Sequence, residues 1–455
     1  MRSTILILVC ITAVAACDNS SADSGVTWHK DIAPLVTEKC VGCHNDNGIA
    51  PFSMERYSDA EPFAPFMAAE TAAGTMPPFL AQDTDDCVPR HGWKDDLRLT
   101  AAQKELFQVW AAAGAPEGNP DRATTLPPRV ELSVTDPDLQ FEIPSPVVID
   151  GERDQFWCFV LETNLDQDRW FNQLQVNAGN PEIVHHVLIY NDVDKALDPQ
   201  RAADGKYECF GATGVSGASL IYAWAPGATP FITPPDVAFE LKADARIIMQ
   251  VHYHPTGVAE TDDATGIELK FAPGVPTYRT AVQLIGNSQA PTQSGGLLPG
   301  PNDTPGIVEF KIPAGVNQHS EFMRFTLASA TEQFVWGMGT HMHYVGRRMA
   351  VHLQHAAPMD GEPEQECLID TPGWNFNWQR GYSYDAPLDE VPVARAGDSY
   401  LLQCDYDNST ANPYVLAALR QQGLTAPHDV HLGEETLDEM CLGAFAVATR
   451  IEPAP

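Results

Sequence analysis

The chain has 455 residues, enough for about three domains of ~150 residues each. Its 61 acidic side chains against 27 basic ones give a formal charge of −34, with no basic block anywhere, and that field sets aside a nucleic-acid partner.

At the N-terminus, Arg2 precedes an apolar run from Ile5 to Val14, followed by small residues. This is the pattern of an export signal and is too short for a membrane span. The run ends Val14-Ala15-Ala16-Cys17, which resembles the lipobox of bacterial lipoproteins, where the Cys is acylated and becomes the mature N-terminus. Residues 1–17 therefore read as a signal peptide and Asp18-Asn19-Ser20-Ser21 as a polar tether; ordinary cleavage nearby, with Cys17 incidental, is the alternative. No later segment reaches the ~18 consecutive apolar residues of a spanning helix. The mature protein is expected to be exported and held by its lipid at a membrane surface, facing the periplasm or the cell exterior. Ten cysteines fit an oxidising compartment. Cys10 leaves with the signal, Cys17 takes lipid, and Cys40 and Cys43 belong to the next motif. Cys87, Cys158, Cys209, Cys367, Cys404 and Cys441 can pair, with connectivity open.

Residues 26–118 are organised around Cys40-Val41-Gly42-Cys43-His44, the C-x-x-C-H signature of covalent c-type haem attachment. Two thioethers would form at Cys40 and Cys43, and His44 would ligate the iron. A zinc or redox pair is the competing reading. Ile32, Leu35, Val36 and Lys39 have the spacing of a helix leading into the motif. Thr100-Ala101-Ala102-Gln103 is a capping box, after which Leu106, Val109 and Trp110 make one apolar face and Gly114 and Pro116 end the helix. This helix–haem–helix frame resembles a small class I cytochrome c. Met54, Met67 and Met76 are candidates for the sixth ligand. Met76 is favoured because Pro77 and Pro78 stiffen its loop; packing of all three in the core is the alternative.

Residues 119–146 form a Pro-rich linker running into a first strand, and the pattern then changes to period two. Val130, Leu132 and Val134 alternate, as do Phe156, Cys158 and Val160, then Ile247, Met249 and Val251. Further runs occur at 266–272, 307–312, 322–327, 350–353 and 400–404. Many short strands between Gly, Pro and Asp turns predict antiparallel sandwiches. About 325 residues exceed one sandwich core, so two are expected, over 147–278 and 279–455.

Several histidines sit in these strand-like runs. His185 and His186 are adjacent, and adjacent residues of a flat strand face opposite ways, so they can share one ion only at a twist, bulge or strand end. His252 and His254 share a face with Ile248 and Gln250. In Gly337-Met338-Gly339-Thr340-His341-Met342-His343 the two histidines share one face, on which Gly337 and Gly339 leave space for an ion and a small substrate. Two imidazoles beside vacant space begin a transition-metal site. Met440 in Asp438-Glu439-Met440-Cys441 offers a sulfur ligand.

Val184-His185-His186, Gln250-Val251-His252-Tyr253, Thr340-His341-Met342-His343 and Glu439-Met440-Cys441 occur in the order and at the spacings found in the copper type II, ascorbate-dependent monooxygenases. These include the peptidylglycine α-hydroxylating and dopamine β-monooxygenases. Ala223–Ala228, Gly346-Arg347-Arg348, Gly397-Asp398 and Cys404–Asn408 match as well, and the resemblance covers about residues 129–450. It implies two all-β jelly-roll sandwiches, which here follow the small all-α cytochrome c-like domain; those enzymes have no such haem domain, which puts their use of ascorbate in doubt for this chain. Each sandwich would hold one copper ion, and the two ions would face each other across solvent. His185, His186 and His252 would bind the electron-transfer copper, and His341, His343 and Met440 the copper that meets O2. A soft thioether suits Cu(I). The resemblance also pairs Cys404 with Cys441 and Cys158 with Cys209. Cys87 and Cys367 have no counterpart in it, and His254 is expected beside the ligands or at the surface.

The expected activity is hydroxylation of a C–H bond of a small organic substrate with O2. Electrons would come from an ascorbate-like reductant or a redox protein, relayed by the attached haem. The peptide-amidating members anchor their substrate with an Arg two residues before the His-x-His motif and a Tyr four residues after the Met. Gly339 and Ala444 stand there in this chain, which argues against a C-terminal glycine peptide. A non-catalytic electron-transfer or copper-binding cytochrome lipoprotein is the rival, opposed by the complete ligand set.

Overall fold

The computed structural model describes residues 25–452 apart from 47, 49, 129–133, 152, 199, 203, 210–212, 227, 288–294 and 434–436. The export signal with Cys17, and Val130 and Leu132 of the first alternating run, lie outside the described residues. Among the described residues no helix is long and apolar enough to cross a membrane.

Helices dominate the first part. Ala33–Lys39 follows a π-helical turn at Trp28–Ile32 and ends at Cys40, so it delivers the C-x-x-C-H motif. Ala64–Ala73 carries Pro65 in its first turn and stops at Gly74, whose φ of +78° is the left-handed cap that glycine adopts without strain. Ala101–Ala112 carries the expected capping box, Thr100 accepting from the Gln103 N–H. Its buried face differs from the expected stripe: Phe107 and Trp110 are fully buried, whereas Val109 is 43% exposed. The larger rings take the core because Trp110 packs on Trp28, 5.8 Å between centroids, and donates its indole N–H to the Pro116 carbonyl.

The strap between the last two helices leaves this core. Phe79, Ala81 and Trp93 are buried within the C-terminal sandwich. The Gln82 N–H donates to the Asp370 carbonyl and the Lys94 N–H to that of Ser383. Cys87 is disulfide-bonded to Cys367, so the pair left open in the sequence ties the helical part to the second sandwich.

The remainder is two β-sandwiches. In the first, strands 206–208, 155–162, 246–253, 184–192 and 219–224 lie side by side in that order. They cover a core that includes Phe159, Val187, Ile247, Met249 and Leu269. Arg246–Tyr253 is buried along nearly its whole length rather than on alternate residues, because Ile248 on its other face packs with the Cys158–Cys209 disulfide. In the second, strands 295–297, 319–326, 399–406, 346–354 and 365–371 form the outer sheet. The inner sheets of both sandwiches are one ten-stranded sheet, continuous through the parallel pairing of Tyr278 with Val237 and Arg279 with Ala238. Only Lys311–Ile312 of the run at 307–312 is a strand; Ile307 and Val308 are exposed.

Candidate functional site

The first histidine cluster is made by a bulge. Val184–Asp192 pairs antiparallel with Arg246–Tyr253, His186 opposite His252, but Tyr253 lies opposite Val184. His185 is therefore the extra residue, and the irregularity turns both histidines toward His252. One ring nitrogen from each of His185, His186 and His252 lies within 4.8 Å of the others. His185 Nδ1, His186 Nε2 and His252 Nε2 are buried and make no hydrogen bond. Asp154 Oδ2 is 3.2 Å from His252 Nε2, at an angle too poor for one. Burial, with the neighbouring His252 and His254, pulls the His185 pKa down to about 4. Burial and the rings of His185, His252 and His341 hold His186 well below its ordinary value. Imidazoles with orphaned, converging nitrogens, two of them with lowered pKa values, are a donor set that fits a transition metal. His254 lies beside the cluster; its Nδ1 is 2.7 Å from Asp154 Oδ1.

The second cluster gathers where Gln333–His341 ends. His341 lies opposite Leu442 in the pairing with Leu442–Arg450, so Met440, two residues earlier, extends past the same strand end, as does His343. The rings of His341 and His343 are 5.2 Å apart. His341 Nδ1–H donates to Gln379 Oε1 at 2.6 Å, and His343 Nδ1–H donates to the Asp438 carbonyl at 3.1 Å. Both bonds select the tautomer with its lone pair on Nε2, the form a ligating imidazole needs. Burial lowers the His341 pKa against the pull of Gln379. Met440 is 5% exposed, and the Cys404–Cys441 disulfide braces its neighbour. Glu439 accepts from the backbone N–H groups of His343 and Met440, locking the two segments together. The expected vacant face over the glycines is narrow: a Cβ on Gly337 would lie 3.0 Å from the Tyr382 carbonyl oxygen and 3.3 Å from the Ala446 Cβ.

Between the clusters runs one loop, 374–380, to which the sequence reading assigned nothing. Its signal was aromatic density in Trp374-Asn375-Phe376-Asn377-Trp378. The Phe376 ring lies 5.9 and 5.8 Å from the rings of His185 and His186, and 6.0 Å from that of His343. A phenyl ring therefore stands between the clusters, where solvent alone was expected. Asn377 stands near His185 and offsets a small part of the burial effect on its pKa. Trp374 donates its indole N–H to the His343 carbonyl.

A cavity of about 320 Å³ lies where the helical part meets both sandwiches. Cys40, Cys43 and His44 line one side, with Met54, Met67 and Met76. Ala225 and Pro226 of the first sandwich, and Trp378, Gln379 and Arg380 of the second, line the other. The Cys40 and Cys43 thiols are unpaired, and burial first, then Cys43, pushes the Cys40 pKa up to about 12. His44 Nδ1–H donates to the Phe52 carbonyl at 2.9 Å. Met54 and Met67 belong to the helical core, whereas Met76 lies outside it.

Residues 141–258, which carry the whole three-histidine cluster, match the family model for the N-terminal domain of the copper type II ascorbate-dependent monooxygenases. Over that segment the chain is similar to the copper type II monooxygenases. DBH-like monooxygenase protein 1 of Gallus gallus is 24% identical over 269 residues, 56% of this chain and 40% of that protein. Dopamine beta-hydroxylase of Bos taurus is 24% identical over 324 residues, 67% and 48%. Peptidyl-glycine alpha-amidating monooxygenase B of Xenopus laevis is 25% identical over 150 residues, 32% and 16%. The chain thus spans less than half the length of these family members. Among solved structures, the major capsid protein P2 of bacteriophage PM2 matches at 9% identity and a TM-score of 0.24, over 69% of this chain and 98% of its own, and carries no argument.

Proposed function

We propose that this protein is a copper-dependent monooxygenase that hydroxylates a C–H bond of a small organic substrate with O2. The reading is carried by the placement of two donor sets on either side of one ring: the converging nitrogens of His185, His186 and His252, and the His341, His343 and Met440 set beyond Phe376. Copper, when bound, supplies one-electron chemistry and O2 activation at the His341, His343 and Met440 position. The chain's own residues prepare that chemistry. Gln379 and the Asp438 carbonyl fix the two imidazole tautomers, and the thioether favours the reduced ion. Phe376 places an apolar ring in the space between the clusters.

A c-type haem fits the cavity. Two unpaired thiols stand beside a histidine whose Nδ1 is committed to a carbonyl, on an apolar wall of a cofactor-sized space. Met76 is the favoured second axial ligand because it lines the cavity without belonging to the helical core. A haem held there would pass on electrons from an external donor, a redox protein or an ascorbate-like reductant. Export and a lipid anchor at Cys17 remain part of this reading.

The test is iron and copper content per chain in protein made by a host competent for c-type haem. One iron and two coppers, with reoxidation of copper by O2 lost in Met440→Leu, is the expected result. Iron without retained copper, after copper has been offered, would leave the electron-carrier reading instead.

A further inference from the structure

The loop at 374–380 does more than separate the histidine clusters. Gln379 lines the cavity that Cys40, Cys43 and His44 face, and its Oε1 accepts from His341 Nδ1–H at 2.6 Å. Its amide cannot turn freely, because its Nε2–H donates to the Phe376 carbonyl at 2.9 Å. One side chain therefore touches both the cofactor space and a ligand of the second cluster. Among the described residues, no side chain that lines the cavity hydrogen-bonds to His185, His186 or His252. Among the described residues the first sandwich contributes the apolar wall Ala225, Pro226 and Ala228.

We propose that Gln379 links the haem cavity directly to the His341, His343 and Met440 site, so that electrons from the haem reach that site without passing through the three-histidine cluster. The proposal rests on the haem reading of Cys40–His44. In the step, one electron leaves ferrous haem, which becomes ferric, and one cupric ion becomes cuprous; no bond is made or broken. An external one-electron donor restores the haem. Gln379 is a positioning residue: it acts by holding His341 and by closing the gap to the cavity.

The experiment uses the full chain loaded with copper, oxidised and anaerobic. A light pulse on added flavin, with a sacrificial electron donor present, yields reduced flavin that reduces the haem, and two signals are followed: reoxidation of the haem absorption band and loss of the cupric EPR signal. In His252→Ala, which dismantles the three-histidine cluster, transfer from haem to copper is expected to persist. In Gln379→Leu it is expected to slow by about tenfold or more, the usual scale for losing a ligand's hydrogen-bond partner. Gln379→Glu keeps an acceptor for His341 and is expected to restore the rate, which separates the link from a folding defect. Loss of transfer in His252→Ala, an unchanged rate in Gln379→Leu, or a slow rate in Gln379→Glu overturns the proposal. A purified chain without covalent haem overturns the haem reading itself, and is recognised by the missing absorption band before any kinetics.

Discussion

Gly339 lies directly opposite Ala444 in the pairing of Gln333–His341 with Leu442–Arg450, and a Cβ on Gly339 would meet the Ala444 Cβ at 3.4 Å. The two positions where the peptide-amidating members place their substrate anchors are thus cross-strand neighbours here, and neither bears a polar group. A carboxylate brought to this wall would find no cation or hydroxyl from either residue to replace its water, and burying it unpaired is costly. A peptide with a C-terminal glycine is therefore expected to give no amidated product above background with the copper-loaded protein, read by mass spectrometry. Amidated product would show that another group supplies the anchor.

Arg380 is the one guanidinium on the cavity wall, and among the described residues no carboxylate pairs with it. It lies over Phe79 and Tyr382, at 5.4 and 5.5 Å from the ring centroids, and its Nε is buried without a hydrogen bond. A cation beside a redox centre favours the reduced form, which carries one positive charge less. Arg380→Gln is expected to lower the midpoint potential of the haem, by a shift of up to about tenfold in the oxidised-to-reduced ratio at fixed potential, or 59 mV for one electron. Arg380→Lys should stay near wild type. Spectroelectrochemistry reads the shift, and equal potentials in all three proteins would show that the charge lies too far from the haem to matter.

The Cys404–Cys441 bridge closes a loop with a sequence separation of 37 and anchors the residue next to Met440. Loop-closure entropy puts its contribution at about 4 kcal/mol. Replacing both cysteines by Ala is expected to lower the melting temperature and to weaken the second copper site, while the three-histidine site keeps its copper. Calorimetry and a copper titration separate the two effects. Equal weakening of both sites would mean that the bridge supports the whole fold rather than the end of one strand.

How much of this was legible in the sequence depended on whether a residue's role was local. The helix before Cys40, the capping box at Thr100 and the strands carrying His252 and His341 follow from spacing, because their periodicity is set within a few residues. The need for a bulge at His185 and His186 followed from strand geometry alone. One feature had competing local solutions: Val109 and Phe107 both fit a helical stripe with Trp110, and only Trp28, distant in the chain, decides between them. The loop at 374–380 has no period at all. Phe376, Asn377 and Gln379 acquire their roles from histidines brought to them by two separate strands, one in each sandwich, so nothing within the loop announces them. The strap at Phe79–Lys94 likewise belongs to a core formed mainly by residues beyond position 237.

Glu439 shows what burial does to a carboxyl next to a candidate ligand. It is fully buried, and burial pushes its pKa up to about 8 against the opposing pull of the backbone N–H groups of His343, Met440, Gly346 and Val345. In the unfolded chain the same group ionises near its ordinary value of 4.5. Between these values the folded state holds a proton that the unfolded state has released, so stability is full below about pH 4.5 and falls as pH rises toward 8. For one proton the slope is at most about 1.4 kcal/mol per pH unit. Glu439→Gln keeps an oxygen for the His343 and Met440 N–H groups and removes the titration. In copper-free protein the melting temperature of the variant is therefore expected to gain on wild type as pH rises from 5 to 8, with no further gain above that. Parallel melting curves across the range would mean that the four N–H groups, not burial, set the charge of Glu439. The two segments that carry His343 and Met440 would then be held together by a carboxylate.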